Sequence, residues 1–349
     1  MKVAAFFAGA GGLDLGFKKA EFDVVWANEY DKTIWATYEK NFPETHLDKR
    51  SILDVQPDDV PDVDGMIGGP PCQSWSEAGA ARGADDKRGQ LFFEYVDLVA
   101  EKKPLFFLAE NVSGILFSKH SESLNRILSN FSNLGYNVSY GLLNAHDYGV
   151  PQDRHRVIIV GYQTHVNKFF TPPAPTPAEA RKVLKDAIFD LAPTAVPALQ
   201  GTKANEGLEI VNHEYMTGSF STMYMSRNRV RTWDEPSFTI QAGARHAPMH
   251  PQAPVMVKLS QNERAFAPGS EHLYRRLSVR EAARIQTFPD SHEFCYSSVV
   301  DGYKMIGNAV PVEFAKALAA KIATDLEGFE RTDAPLQPGE IKHFSDIAE

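Results

Sequence analysis

Short apolar runs alternate with helical patterns over residues 2–162, and this alternation restricts the fold more than any other feature of the sequence. Apolar residues at helical spacing predict helices over 91–100 and 124–134. Strands are predicted over 3–7, 24–27, 65–67, 105–109, 138–143 and 157–160. Strands that alternate with helices form a largely parallel sheet covered on both faces. The predicted fold class is therefore α/β, a doubly wound and mostly parallel sheet whose strand ends meet at one ligand-binding edge.

The alternation stops near residue 170, where the segment 172–177 carries four prolines. A proline-rich connector of this kind is typical of a domain boundary. Beyond it, glycines, polar residues and arginines are scattered without clear periodicity. The predicted units are a large domain over 1–170, a small irregular domain over 171–285, a C-terminal segment over 286–330 and a flexible tail over 331–349, with a helix over 313–327.

Cys72 follows the apolar run 65–67 and two prolines, in the segment Gly-Gly-Pro-Pro-Cys-Gln-Ser. Proline fixes φ and keeps the preceding residue out of the helical region, so a Pro-Pro turn determines where the next side chain points. Two interpretations stay open, a positioned nucleophile and a buried structural cysteine. The only other cysteine, Cys295, lies in a different context, which predicts a reducing, cytoplasmic compartment. No apolar run approaches the ~20 residues of a membrane span.

A glycine-rich turn, residues 7–16, follows the first predicted strand and opens a helix. Glycine lets backbone N–H groups approach a ligand closely. Glu29 stands about twenty residues further on, at the end of the second strand, where an acidic residue suits a ribose diol. The spacing differs from G-x-G-x-x-G, so the pattern favours an adenosine-containing cofactor over NAD. A tight structural turn is the alternative interpretation.

Three further groups carry charge at positions suited to chemistry. Glu110 ends another predicted strand, and a carboxyl group there faces the same crevice as Cys72 and can donate a proton. Arg154 and Arg156 alternate on an extended segment and point the same way, which suits a phosphate or a carbonyl oxygen. As alternatives, Glu110 is a surface residue that caps the next helix, and the two arginines are a solvated edge.

Arginines are concentrated in two segments, although the formal net charge is −9. Four lie within 227–245 and four within 275–284, which predicts one basic face on an otherwise acidic protein. Arginine is the commonest reader of guanine, through two N–H groups. A basic surface loop without a nucleic-acid partner is the alternative.

Together these residues resemble the DNA cytosine C5-methyltransferase family. Six blocks stand in the family's order: 7–16, 68–76 with Cys72, 110–112, 152–156, 275–281 and 302–311. The resemblance implies a doubly wound sheet with one reversed strand, S-adenosyl-L-methionine as cofactor, a target-recognition domain over 171–285, and a C-terminal segment that returns to the catalytic domain. Implied catalytic residues are Cys72, Glu110, Arg154 and Arg156; implied cofactor-binding residues are Phe7, Gly9, Gly11, Gly12, Leu13, Glu29, Tyr30, Ser51, Ile52, Pro70, Asn308 and Val310.

The variable region, around 225–231 and 250–256, resembles that of a member of the family that modifies the inner cytosine of GGCC. By that similarity Arg227, Arg229 and Arg245 read guanine in duplex DNA.

One departure from the family is Ser51, which stands where an aspartate usually accepts from the adenine amino group. Ser51 can still accept a hydrogen bond there, or Asp54 can substitute. Cys72 would add to C6 of an extruded cytosine, with Glu110 on N3. Arg154 would steady the base carbonyl or the addition product, and Arg156 would make a nearby contact. We predict a monomer without a metal site, linked functionally to a restriction endonuclease.

Three alternatives carry different tests. The same chemistry on RNA would be separated by comparing duplex DNA with transfer RNA as substrate. A catalytically silent DNA-binding regulator would conflict with the presence of Cys72 and Glu110. A nicotinamide-dependent dehydrogenase would be stabilised by NAD instead of S-adenosylmethionine.

Overall fold

One eight-stranded sheet organises the computed structural model, which describes residues 1–70 and 87–347. In chain order the strands are β1 (Lys2–Phe6), β2 (Asp23–Asn28), β3 (His46–Asp48), β4 (Gly65–Gly68), β5 (Phe106–Val112), β6 (Tyr136–Asn144), β7 (His155–Gln163), β8 (Val196–Pro197), β9 (Glu214–Tyr215), β10 (Val257–Ser260), β11 (Glu263–Ala265) and β12 (Ile341–His343). The helices are α1 (Gly12–Lys19), α2 (Trp35–Asn41), α3 (Lys87–Lys102), α4 (Ser121–Asn133), α5 (Leu184–Ile188), α6 (Val279–Ile285), α7 (Val299–Asn308) and α8 (Val312–Asp325). None of the helices in these two ranges has the length and apolarity needed to cross a membrane.

The sheet order is β12-β6-β7-β5-β4-β1-β2-β3, and β7 alone runs against its neighbours. This confirms the predicted α/β class with one reversed strand. Reversal has a consequence for chemistry, because a strand that runs backwards begins at the edge where the parallel strands end. In the register of β5 and β7, Val112 faces Arg156. The start of β7 therefore lies beside the carboxyl end of β5.

The chain beyond residue 330 differs from the predicted flexible tail. Residues 341–343 form β12, which pairs in parallel with β6 at the edge of the main sheet. Before it, Gln163 exchanges two hydrogen bonds with the backbone of Thr332. The ring of Phe344 fills the space beside Gly141, where an added Cβ would lie 2.4 Å from it. The tail escaped prediction because three residues of strand carry too little pattern to be recognised.

The small region has its own core only between residues 220 and 274. That core joins Tyr224, Val230, Met249, Met256 and others, all buried. Residues 184–198 instead pack in a cluster with α6 and α7, to which Ala10 and Ile34 of the large domain also belong. The independently packed unit is thus smaller than the predicted 171–285 region, because α5 and its flanks are part of the larger body.

The second arginine segment is not part of a basic face, contrary to prediction. Arg275, Arg276 and Arg280 are only 8%, 2% and 1% exposed. Arg276 donates to carbonyl oxygens of Met216, Gly218 and Ser219, and Arg280 to those of Val211, Pro289 and His292. Their guanidinium groups therefore act as internal cross-links. Charge counts alone cannot distinguish such buried arginines from surface ones.

Arg275 and Glu281 form the most deeply buried ion pair among these arginines. Two N–H groups of Arg275 each reach one oxygen of Glu281 at 2.7 Å. Glu281 also accepts from the backbone of Ser278, completing a capping box at the start of α6. Burial acts to raise the pKa of Glu281, but the Arg275 hydrogen bonds and charge outweigh it and hold that pKa below the ordinary value.

Replacing Glu281 with alanine should lower the free energy of unfolding by about 3–5 kcal/mol, because it leaves the Arg275 guanidinium buried and unpaired. Chemical denaturation followed by fluorescence measures the change. The matched control is Asp234→Ala, which breaks an exposed pair with Lys185 and should leave the denaturation midpoint almost unchanged. Equal midpoints for Glu281→Ala and the wild type would contradict the prediction.

Candidate active site and cofactor pocket

The turn between β1 and α1 is shaped by close approaches of backbone and neighbouring side chains. Gly11 has φ +79°, and a Cβ there would meet the Phe42 ring at 2.1 Å. A Cβ on Gly12 would lie 2.3 Å from the carbonyl oxygen of Val310. Only glycine fits these two positions. The structure thereby brings the predicted cofactor residues Gly11, Gly12 and Val310 together, although they are far apart in sequence.

Glu29 follows β2 and joins this turn to the next loop. Its Oε2 accepts from the N–H of Gly9 at 2.9 Å, and its Oε1 accepts from the N–H of Asp31 at 2.7 Å. Burial raises the pKa of Glu29, while these two hydrogen bonds lower it. A carboxylate has about four lone-pair sites, so acceptor capacity remains for a ribose diol.

The surroundings of Glu29 suit an adenosine-containing group. Tyr30 presents a ring that is 72% exposed. A Cβ on Gly9 would meet nothing nearer than the Phe7 carbonyl at 3.9 Å, so the turn is open on that side. Of the other predicted residues, Asn308 is exposed, Phe7 is half-buried, and Leu13 and Pro70 are buried. The Glu29 carboxylate, the exposed Tyr30 side chain and the open turn fit the ribose and adenine of the predicted cofactor.

The structure gives Ser51 a local role. Its hydroxyl accepts from the N–H of Leu53 at 3.3 Å and caps a short helical turn. Ile52 is buried in the core, and Asp54 is exposed. The loop is instead held by Arg50, which forms ion pairs with Asp48 and Asp59. The cofactor contacts predicted for Ser51 and Ile52 stay predictions.

Glu110 lies beside the segment that leads to Cys72. Its Oε1 accepts from Arg156 Nε at 2.7 Å. Its Oε2 lies 3.2 Å from the point where a Cβ on Gly69 would stand. The neighbouring side chain of Asn111 donates to the carbonyl of Pro70 at 3.4 Å. Cys72 itself lies outside the described residues.

Arg154 is placed differently from the sequence prediction. It is 1% exposed, and its terminal nitrogens donate to the carbonyl oxygens of Ile240, Gly307 and Ala309. Burial and the charge of Arg156 hold the pKa of Arg154 below its ordinary value. With these donors occupied, the geometry assigns Arg154 a positioning role that joins three segments, instead of the predicted contact with a base carbonyl.

Sequence reasoning missed several residues that hold the site together. Gln152 donates to Gln286 and accepts from the N–H of Ile240, so it ties the loop before β7 to the small region. Lys304 of α7 donates to Asp31 and Thr33. The sequence gives little indication of these contacts, because the hydrogen-bond partners of Gln152 and Lys304 lie in distant segments of the chain.

The three arginines predicted to read guanine differ in exposure. Arg227 and Arg245 are exposed. Arg229 is half-buried; its Nε and Nη2 donate to the carbonyls of Tyr224 and Met223, and its guanidinium lies 4.6 Å from the Tyr224 ring centre. A bidentate guanine contact needs two N–H groups, so Arg229 would have to break bonds that order its own loop.

Comparison with known proteins gives a consistent result. The family model described as C-5 cytosine-specific DNA methylase matches residues 1–324. Type II methyltransferase M.MthTI of Methanothermobacter thermautotrophicus is 57% identical over 94% of this chain and 98% of its own length. Type II methyltransferase M.NgoPII of Neisseria gonorrhoeae is 53% identical over 94% and 96%.

Solved structures agree at the level of the fold. A chain described as a DNA modification methyltransferase encoded within an Escherichia coli prophage is 25% identical, with a TM-score of 0.71 over 94% of this chain and 99% of that one. Spodoptera frugiperda DNMT2 is 18% identical, with a TM-score of 0.64 over 93% and 99%. The second likeness concerns the fold alone.

Proposed function

The chain belongs to the C-5 cytosine-specific DNA methylase family, and from that premise we propose that it methylates C5 of the inner cytosine of GGCC in duplex DNA. Its close relatives are Type II methyltransferases, so the chain is a modification enzyme of the type found in restriction-modification systems. Use of S-adenosylmethionine follows from the family. The proposal adds the recognised sequence, the extruded base, the covalent Cys72 adduct and the residues that carry them.

One observation carries the chemical part of the proposal, the position of Glu110. Its carboxylate lies between Arg156 and Gly69, and Gly69 stands three residues before Cys72 in the sequence. An acid at this position and a thiol three residues after Gly69 in the sequence suit a reaction that needs a nucleophile on one side of a ring and proton control on the other. Such a ring must leave the DNA stack first, which costs a few kcal/mol.

We assign each step to a residue of this chain. The Cys72 thiolate adds to C6 of the cytosine, while Glu110 holds a proton on N3 as electron density moves to C5. When bound, S-adenosylmethionine would supply the electrophilic methyl group that C5 accepts. Transfer of the C5 proton to water then restores the aromatic ring and expels the Cys72 thiolate. Arg156 Nε orients Glu110, and we transfer the predicted base-carbonyl contact from Arg154 to Arg156.

The cofactor would lie at the edge formed by the β1–α1 turn and the end of β2. Glu29 would accept from the ribose hydroxyls, and Tyr30 would offer its exposed ring to the adenine. The remaining predicted contacts belong to the same proposal: Phe7, Gly9, Gly11, Gly12, Leu13, Ser51, Ile52, Pro70, Asn308 and Val310.

GGCC recognition rests on the small region. Its segments 225–231 and 250–256 resemble the HaeIII methyltransferase, and Arg227 and Arg245 are exposed there. Arg229 adds positive charge next to Arg227, since the charge of Arg227 acts on Arg229. We therefore propose Arg227 and Arg245 as the guanine readers and Arg229 as the residue that orders their loop.

Replacing Arg227 or Arg245 with alanine should weaken binding to GGCC duplexes by about 1–3 kcal/mol each and reduce the preference for GGCC over altered sites. Fluorescence anisotropy at one fixed salt concentration measures both quantities. Arg264→Ala is the matched control, since Arg264 bonds to its own hairpin and should leave the preference unchanged. A uniform loss on every sequence would indicate phosphate contacts and contradict the assignment.

A methyl-transfer assay with labelled S-adenosylmethionine tests the function as a whole. Duplex DNA with and without GGCC, and transfer RNA, are offered to the wild-type protein, and bisulfite sequencing locates the product. We expect transfer to the inner cytosine of GGCC only. Transfer to cytosines elsewhere in duplex DNA would retract the sequence specificity, and the absence of transfer would favour the regulator alternative.

The Type II names of the relatives support a proposal about biological partners. We propose a functional link to a restriction endonuclease of the same specificity, action as a monomer, and the cytoplasmic location that access to a prokaryotic chromosome requires. Transfer to RNA is the less favoured alternative, because the matching family model describes a DNA methylase.

A further inference from the structure

Lys304 connects the C-terminal part of the chain to the loop after β2. Its Nζ donates to Asp31 Oδ2 and to the Thr33 hydroxyl, each at 2.8 Å. The Thr33 hydroxyl in turn donates to Asp31 Oδ1 at 2.7 Å. The three polar groups therefore form a closed ring. The Lys304 and Asp31 side chains are about one-third exposed, at 30% and 37%.

This ring adjoins the carboxylate that the cofactor site uses. The N–H of Asp31 donates to Glu29 Oε1, and the N–H of Gly9 donates to Glu29 Oε2. A continuous path of hydrogen bonds thus runs from α7 through Asp31 and Glu29 to the β1–α1 turn. We propose that Lys304 is a positioning residue of the cofactor site, acting through Asp31 and Thr33 on the Glu29 carboxylate. This inference rests on the proposed binding of S-adenosylmethionine at Glu29.

Electrostatics gives the proposal a measurable signature. Burial is the largest cause that raises the pKa of Glu29; the charge of Asp31 raises it further, and the charge of Lys304 lowers it. Burial also acts to raise the pKa of Asp31, but hydrogen bonds from Lys304 and Thr33 outweigh it and leave that pKa lowered. Without Lys304, Glu29 would face the Asp31 charge unopposed, and its pKa would rise.

Other charged groups near Glu29 are common to all variants considered. Asp14 of α1 faces Glu29, and burial raises the pKa of Asp14 to about 7, against the hydrogen bond from Tyr38. Lys18 faces Asp14 from the same helix. These groups are present in every variant, and because Asp14 interacts with Glu29 the two carboxyl groups titrate as a coupled pair. The comparison with the double variant, in which only the Asp31 charge is removed in addition, therefore carries the test.

The experiment measures S-adenosylmethionine affinity by calorimetry for Lys304→Met, Lys304→Arg and the double variant Lys304→Met/Asp31→Asn. An ionised carboxylate accepts hydrogen bonds more strongly than a protonated one and can accept at both oxygens, so raising the pKa of Glu29 weakens binding most at low pH. Affinity is compared at two pH values, and we expect Lys304→Met to bind more weakly than the wild type, by about tenfold at the lower pH and by less at the higher pH. Arginine should retain most of the affinity, and Asp31→Asn in the methionine background should restore much of it.

The rescue by Asp31→Asn separates this role from a merely structural one, because removing a second ring member would only worsen a structural defect. Lys40→Met is the matched control: it breaks another ion pair between α2 and the C-terminal segment, with Glu293, and should leave affinity unchanged at both pH values. Thermal unfolding verifies that each variant is folded.

Two results would overturn the inference. One is Lys304→Met binding as the wild type does at both pH values; the other is a pH-independent loss that Asp31→Asn does not relieve. A wild-type protein that binds no S-adenosylmethionine would instead contradict the proposed function, so the two failures are distinguishable.

Discussion

Replacing Cys72 with alanine is expected to abolish methyl transfer while leaving the protein folded and able to bind GGCC duplexes. C5 of cytosine is a poor nucleophile while the ring is aromatic, and addition of sulfur to C6 is what makes it reactive. Alanine cannot form that bond. Transfer of labelled methyl groups measures the loss, and anisotropy measures DNA binding.

The chain provides a matched control, since Cys295 is its other cysteine. Cys295 is half-buried; its backbone carbonyl accepts from the Thr37 hydroxyl and its backbone N–H donates to the same hydroxyl. Cys295→Ala should retain activity. A duplex with 5-fluorocytosine at the target should trap a covalent adduct with the wild type and with Cys295→Ala, because fluorine at C5 prevents the elimination that frees the thiolate. Methylation by Cys72→Ala would refute the mechanism.

Glu110→Gln is expected to lower kcat by about 10²–10⁴, the range that a positioned general acid contributes. Glutamine keeps the size of the side chain and can still accept from Arg156, but it cannot hold a transferable proton on N3. Single-turnover methyl transfer measures the chemical step. Because Glu110 is not among the proposed cofactor contacts, S-adenosylmethionine affinity should change little.

An exposed glutamate gives the comparison for that variant. Glu122 stands in the first turn of α4 and is exposed, so Glu122→Gln should leave kcat at the wild-type value. Arg156→Met should also lower kcat, because Glu110 then loses the group that orients it. A Glu110→Gln protein with unchanged single-turnover rate would remove Glu110 from the mechanism and leave Cys72 without a partner acid.

Apolar runs were sufficient to predict the central strands, since β1, β2, β4, β5 and β7 bury nearly every side chain and β6 buries those of its first four residues. Strands β3 and β12 were missed because three residues carry no recognisable period. Glu110 and Arg156 could be predicted to lie at the same edge of the sheet once β7 is taken as the reversed strand, since Glu110 lies near the end of β5 and Arg156 near the start of β7.

Buried polar contacts between distant segments could not be predicted in the same way. Arg154, Arg276 and Arg280 donate mainly to backbone carbonyls, and any residue type offers a carbonyl. Lys304 and Asp31 are 273 positions apart, and neither has a local pattern that indicates the other. Such contacts form only when folding brings distant segments together, and a single sequence indicates which segments meet only where it carries a recognisable motif.

The contact between Gly12 and the Val310 carbonyl has a consequence for synthesis of the protein. α1 leaves the ribosome long before the surface it packs against, from Val310 to Ala315, has been synthesised. Until that segment has emerged, the nascent chain holds an incomplete pocket in which the inward face of α1 has no partner.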